Sequence, residues 1–394
     1  DIPSEVFSQM LDIEEQVIAL RGLPPNGEFD RALITPAELG ERVSNDFFED
    51  YTPEDARQDA LVLAAFGLIE PDFDFFTFYV DLLSEGIAGF YDNETKEMVV
   101  VQGESFAGPE RITYAHEYTH ALQDQNYDFK NGLQFDDEPC EEDSERCAAI
   151  QALIEGDATV TELEWFLAHS TSQDQRDIQE FYGSYESPVF DTAPPFMQDD
   201  FIFPYNQGYE FVNSLFEAGG FPAVDAAYNN LPVSTEQILH PELYPNDTPI
   251  LVTLPDLLPI LGEGWTLLDE NVMGEWYTYL ILARGIDPDT QLDDDNAADA
   301  AAGWGGDAYA VYLSPAGDAT ALVMKTVWDT SADAGEFAQA FEEYASARFG
   351  SPTGNLMWNS SGTVTLFSLD GDQTLWVAAP DLATAQALLA ASQP

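Results

Sequence analysis

Two of the chain's four histidines stand four residues apart in "TYAHEYTHALQDQ", with Glu117 directly after His116 and three residues before His120. On a helix, residues four apart lie on one face, one turn from each other. Both imidazoles can then reach one ion, and Glu117 is near enough to a metal-held water to take its proton. That is the mechanical content of H-E-x-x-H. A catalytic zinc takes three protein ligands and leaves a fourth position for water. The other histidines, His169 and His240, do not follow at the short spacing of a three-histidine site, so the third ligand is expected to be a carboxylate. "ALIEGDATVTE" offers Glu155, an acid in an apolar stretch that is costly to bury unless a cation compensates it.

Together these residues carry a family resemblance. H-E-x-x-H (His116, Glu117, His120) followed by E-G-x-A-x-x-x-E (Glu155, Gly156, Ala158, Glu162) resembles the gluzincin metallopeptidases, in particular the aminopeptidase N and leukotriene A4 hydrolase branch. Further on, "FPYNQGYEFVNSLFEAGG" looks like that branch's P-Y-x-K-G-x stretch with its following helix. The resemblance covers residues 80 to 245 as separate motifs. It implies a zincin-like domain with one zinc per chain on His116, His120 and Glu155, and Glu117 as general base. It also implies that Tyr205 is the phenol that stabilises the transition state, and that Glu162 lines the site or orients a ligand. The G-x-M-E-N segment that grips a free amino terminus in that branch is absent, "NQG" stands in place of E-K-G, and Ile154 in place of Asn. The expected activity is therefore zinc-dependent cleavage inside peptides or proteins. A zincin-shaped binding or surface protein without turnover is the alternative.

Other residues could support the site. Asp124, one turn beyond His120, and Asp157, beside Glu155, could each fix an imidazole tautomer. His240, in "ILHPELY", is an alternative oxyanion donor. The stretches "PVSTEQILHPELYP" and "AAGWGGDAYAVY" look like recurrent features of uncharacterised relatives of these peptidases, with no chemistry attached. "DDDN" could bind calcium, but without the spacing of an EF-hand.

The elements needed to position these groups are legible in outline. Residues 1 to 80 read as helices punctuated by Pro and Gly, with "TPEDARQDALVLAAFGLI" opening on a Thr cap and a Pro. A hairpin is expected over "GIAGFYDNETKEMVVVQ". The H-E-x-x-H helix and a long helix over "CAAIQALIEGDATVTELEWFLAHS" follow, completing a catalytic domain over 81 to 292. From 297 to 394 a strand-strand-helix unit is used twice. The class is α+β.

Composition bounds the setting. Seventy-three acidic residues face 12 basic ones, a net charge of −61, yet aromatics make up 13%. An acidic coat over an ordinary core fits a salt-adapted protein, and makes nucleic acid a poor partner. Cys140 and Cys147, in "CEEDSERC", are expected to form a disulfide, which points to a secreted or cell-surface protein. No apolar run reaches the length of a membrane span.

Overall fold

Helices begin where the sequence carries capping chemistry. Thr52 accepts the Asp55 N–H at 3.3 Å while the Asp55 carboxylate accepts the Thr52 N–H at 2.9 Å, and the helix Pro53–Phe66 starts there. Thr171 with Asp174 and Thr330 with Asp333 open Ser172–Ser184 and Ser331–Phe349 in the same way. A computed structural model describes residues 2–43, 51–102 and 105–393 of the chain. The class is α+β, 56% helical, and among the described residues no helix is long and apolar enough to cross a membrane.

The expected hairpin forms from β2 (Gly89–Asp92) and β3 (Glu97–Val101), which pair antiparallel. A further strand, β1 (Asp30–Ile34), pairs parallel with β3 and gives the order β1-β3-β2. This corrects the all-helical reading of residues 1 to 80. "DRALI" is short and rich in helix formers, and only its partner strand selects the extended form. The first helix, Ser4–Arg21, presents Met10, Ile13 and Val17 to Tyr114, Tyr118 and Ala121 of the H-E-x-x-H helix. It therefore braces that helix on the side away from its histidines.

The C-terminal part is a six-stranded sheet in the order β4-β5-β6-β9-β8-β7. Its strands are β4 (Thr266–Asn271), β5 (Trp304–Leu313), β6 (Thr320–Trp328), β7 (Met357–Ser360), β8 (Thr363–Asp370) and β9 (Gln373–Ala379). The helix Ser331–Phe349 follows β6 and Leu382–Ser392 follows β9. Tyr309, Val311, Leu322 and Met324 join the main core. Ala310, Tyr312, Ala321 and Val323 instead join a second core, to which the helix Leu382–Ser392 contributes Ala385 and Leu388. Strand alternation thus gives the sheet two buried faces.

Buried polar contacts fasten this sheet to the helices. Arg348 and Tyr344 reach the carbonyl of Phe66 at 2.7 and 2.9 Å, satisfying the end of the helix Pro53–Phe66. Asp307 on β5 accepts the Met273 and Gly274 N–H groups, each at 2.9 Å, and the Trp304 indole N–H at 2.7 Å.

Candidate metal centre

Three helices build the site. Gly108–Tyr127 carries His116, Glu117 and His120; Ser144–His169 carries Glu155, Asp157 and Glu162; Pro195–Gly219 carries Tyr205. The second and third cross at two glycines. A Cβ on Gly156 would stand 2.1 Å from the Gly208 carbonyl oxygen, and one on Gly208 would stand 2.3 Å from that of Ala152. Only glycine permits this approach, which brings Glu155 and Tyr205 to one place. The outer strand β2 also packs closely, though less so: a Cβ on Gly89 would lie 3.0 Å from Cγ of Glu117.

Oε2 of Glu155 lies 3.1 Å from Nε2 of His116 and 3.3 Å from Nε2 of His120. Tetrahedral ligands bound at zinc distances stand about 3.3 Å apart, so the carboxylate oxygen stands from each imidazole nitrogen at a spacing such a centre accepts, and all three donor atoms lie within 4.8 Å of one another. Two imidazoles and a carboxylate are also a donor set that zinc accepts, with a fourth position left for water.

The far nitrogens fix the tautomers. Nδ1 of His116 is 2.9 Å from the Glu162 carboxylate, and Nδ1 of His120 is 2.9 Å from Oε1 of Gln123. Both partners only accept, so each Nδ1 carries a hydrogen and each Nε2 can turn a lone pair toward the centre. Gln123 is itself oriented, because its amide donates to the Ile154 carbonyl at 3.0 Å and to Asp157 at 2.9 Å. Asp157 is held by Arg21 at 2.7 and 3.0 Å and by the Tyr228 hydroxyl at 2.9 Å. The side chains of Arg21 and Asp157 are both 0% exposed.

Electrostatics follow from burial and crowding of charge. Burial opposes charge on both imidazoles, but Glu155 outweighs it, with Glu162 also acting on His116, so both pKa values are raised. Burial likewise opposes charge on Glu155, and the imidazoles overcome it, holding that carboxyl below the ordinary range. Burial raises the Glu117 carboxyl, which suits a group that must take up a proton. The charge of Glu155, then burial, raises the Tyr205 phenol well above its usual value, so it stays a hydrogen-bond donor. Tyr205 is 41% exposed, and its ring centre lies 6.2 Å from that of His116.

These groups line a cleft of about 650 Å³ bordered by Gly89, Phe90 and Tyr91 of β2. A second hollow of about 760 Å³ adjoins it, and both reach His120, Glu155 and Tyr91.

The structure gathers His116, Glu117, His120, Glu155, Glu162 and Tyr205 at one point and leaves other candidates elsewhere. Asp124 accepts from the Tyr91 hydroxyl at 2.8 Å and Lys96 at 2.5 Å, tying the hairpin to the helix rather than holding an imidazole. Asp157 acts on His120 through Gln123. His240 lies against Glu275 at 2.8 Å and lines a separate cavity with Trp276 and Arg284, so it is no oxyanion donor here. In "DDDN", Asp293 caps a helix through the Asn296 N–H and Asp294 pairs with Arg284 at 2.6 Å. Cys140 and Cys147 are 2.09 Å apart at sulfur, the distance of a disulfide. Gln123 and Arg21 went unread in the sequence. Gln123, three residues after His120 on the same helical face, carried a usable signal, whereas Arg21 carried none.

Residues 266–389 match the family described as Domain of unknown function (DUF8575). That match starts at the first residue of β4 and ends inside the last helix, so it covers the six-stranded sheet and none of the residues at the centre. No curated protein and no solved structure matches the chain.

Proposed function

We propose that the protein is a zinc-dependent endopeptidase with a zincin-like catalytic domain, akin to the gluzincins. The observation that carries this reading is the convergence of His116, His120 and Glu155 on one point, with Glu117 and Tyr205 facing the same cleft.

Held by the two imidazoles and Glu155, zinc would supply Lewis-acid polarisation of water and of the scissile carbonyl. The protein's own groups do the rest. Glu117, its carboxyl raised by burial, takes a proton from the attacking water and returns it to the leaving amine. Tyr205, held protonated, donates a hydrogen bond to the oxyanion as it develops. Glu162 and Gln123 keep the imidazoles in their metal-facing tautomers. An extended peptide would lie along β2, whose Gly89 and Tyr91 border the cleft. The two adjoining hollows, which share His120 and Glu155, give substrate room beyond the centre itself, which favours cuts within a chain over removal of its first residue.

The disulfide-forming pair Cys140–Cys147 and the acidic coat support a secreted or cell-surface enzyme working in high salt. Digestion of a random peptide library in concentrated salt, with and without a chelator, tests the proposal. Chelator-sensitive internal cuts are expected. Stepwise loss from the amino end would replace the endopeptidase reading with an exopeptidase, and products unchanged by chelator would remove the metal from the mechanism.

A further inference from the structure

The stretch "PVSTEQILHPELY" contributes nothing to the hydrolytic centre, yet several of its polar side chains are buried. Its short helix, Thr235–Leu239, is fastened by Thr235, whose N–H and hydroxyl donate to Glu145 at 2.5 and 2.8 Å. The next residue, Glu236, is 2% exposed, and its Oε1 has no hydrogen-bond partner among the described residues. Glu275 is 4% exposed; its Oε1 meets His240 at 2.8 Å, while its Oε2 likewise has no partner among the described residues. An orphaned, buried carboxylate oxygen is costly, and two beside each other more so.

Glu236 does not stand alone. One oxygen each of Glu236, Asp247 and Asp329 lie within 4.8 Å of one another. Asp247 is half-buried and Asp329 exposed, so the group opens to solvent on one side. Among the described residues no lysine or arginine ion pair involves any of these acids or Glu275. Burial, then repulsion from Glu275, Asp329 and Asp247, raises the Glu236 carboxyl to about 8. Among the described residues, only His240 acts against this crowding of negative charge.

We propose that Glu236, Asp247 and Asp329 form a second metal site, selective for a calcium ion, that staples the helical part of the molecule to the C-terminal sheet. An all-oxygen donor set selects a hard cation rather than zinc. Ligands drawn from three separate segments suit calcium, which accepts irregular geometry and several protein oxygens, better than magnesium, which demands a near-ideal octahedron. The staple is physical: Asp329 directly follows β6 and leads into the helix Ser331–Phe349, whereas Glu236 and Asp247 belong to the segment before the sheet.

The site is independent of hydrolysis and is tested by calcium chloride alone, added to the full chain in molar potassium chloride after chelation. Calorimetry should show one saturable site. At calcium a hundredfold above its dissociation constant, the melting temperature should rise by roughly 3 to 5 °C. The double variant Asp247→Asn/Asp329→Asn should lose the saturable site and the rise, while Glu342→Gln/Glu343→Gln, which removes two exposed acids, keeps both. In chelator the Asn variant should be at least as stable as the parent, because it lacks the repulsion. An equal rise in parent and Asn variant, or no saturable binding by the parent, would overturn the proposal.

Discussion

Oε1 of Gln123 stands 2.9 Å from Nδ1 of His120, and the amide of the same side chain is held by Asp157. Asp157 in turn is fixed by Arg21, from a helix more than a hundred residues away in sequence. His120 therefore has its tautomer set by a buried relay of side chains.

Gln123→Leu should lower zinc affinity by roughly 10- to 100-fold with all three ligands intact. Asp157→Ala should do the same and also leave the Arg21 guanidinium buried beside Asp225 alone, at a cost on the order of 3 kcal/mol or more. Competition with a chromogenic chelator reads the first effect and urea unfolding the second. Unchanged zinc affinity in both variants would show that the relay has no influence on the centre.

Tyr205→Phe removes only the hydroxyl. Metal content should stay the same, while kcat should fall by roughly two to three orders of magnitude with KM little changed. A rise in KM alone, or no change in either constant, would remove Tyr205 from the transition state.

Asp307 supplies a pH dependence of stability. Burial is the main cause that raises its carboxyl to about 6, against an ordinary value near 3.8. Between those values the folded state holds a proton that the unfolded chain releases, so the stability it contributes at low pH is lost as pH rises through about 6. From pH 4 to 7 that loss is roughly 2 kcal/mol. Denaturant unfolding at constant high salt should show the loss in the parent and a flatter profile in Asp307→Asn. Parallel profiles would contradict the assignment.

The acidic coat predicts a salt response. At about 0.1 M salt the screening length is roughly 10 Å, and at 1 M roughly 3 Å, so repulsion among 73 acids falls steeply across that range. Thermal unfolding should move upward with potassium chloride throughout. A flat response would mean that the coat carries no net strain.

How much of this was legible in sequence depended on range. His116, Glu117, His120 and Glu155 were readable because helical spacing places the first three and an acid within an apolar stretch marks the fourth. Capped helices and the hairpin were readable from local chemistry, as Thr52 with Asp55 shows. Strand β1 was not, since "DRALI" becomes extended only beside β3. Asp124 and Asp157 could not be told apart for the same reason: each is one acid among many until the fold supplies Lys96 for one and Arg21 for the other. Gly156 and Gly208 were visible as letters, but the helix crossing that requires them was not.

One comparison separates a working hydrolase from a metal-holding protein without turnover. The parent and Glu117→Gln, each shown by elemental analysis to carry one zinc per chain, are incubated with the same unstructured protein substrate in concentrated salt, and cleavage is followed by mass spectrometry. The parent should cut at internal bonds, and the variant should be slower by roughly two to four orders of magnitude. Equal cleavage by both, or none by the zinc-loaded parent, would contradict a peptidase centred on Glu117.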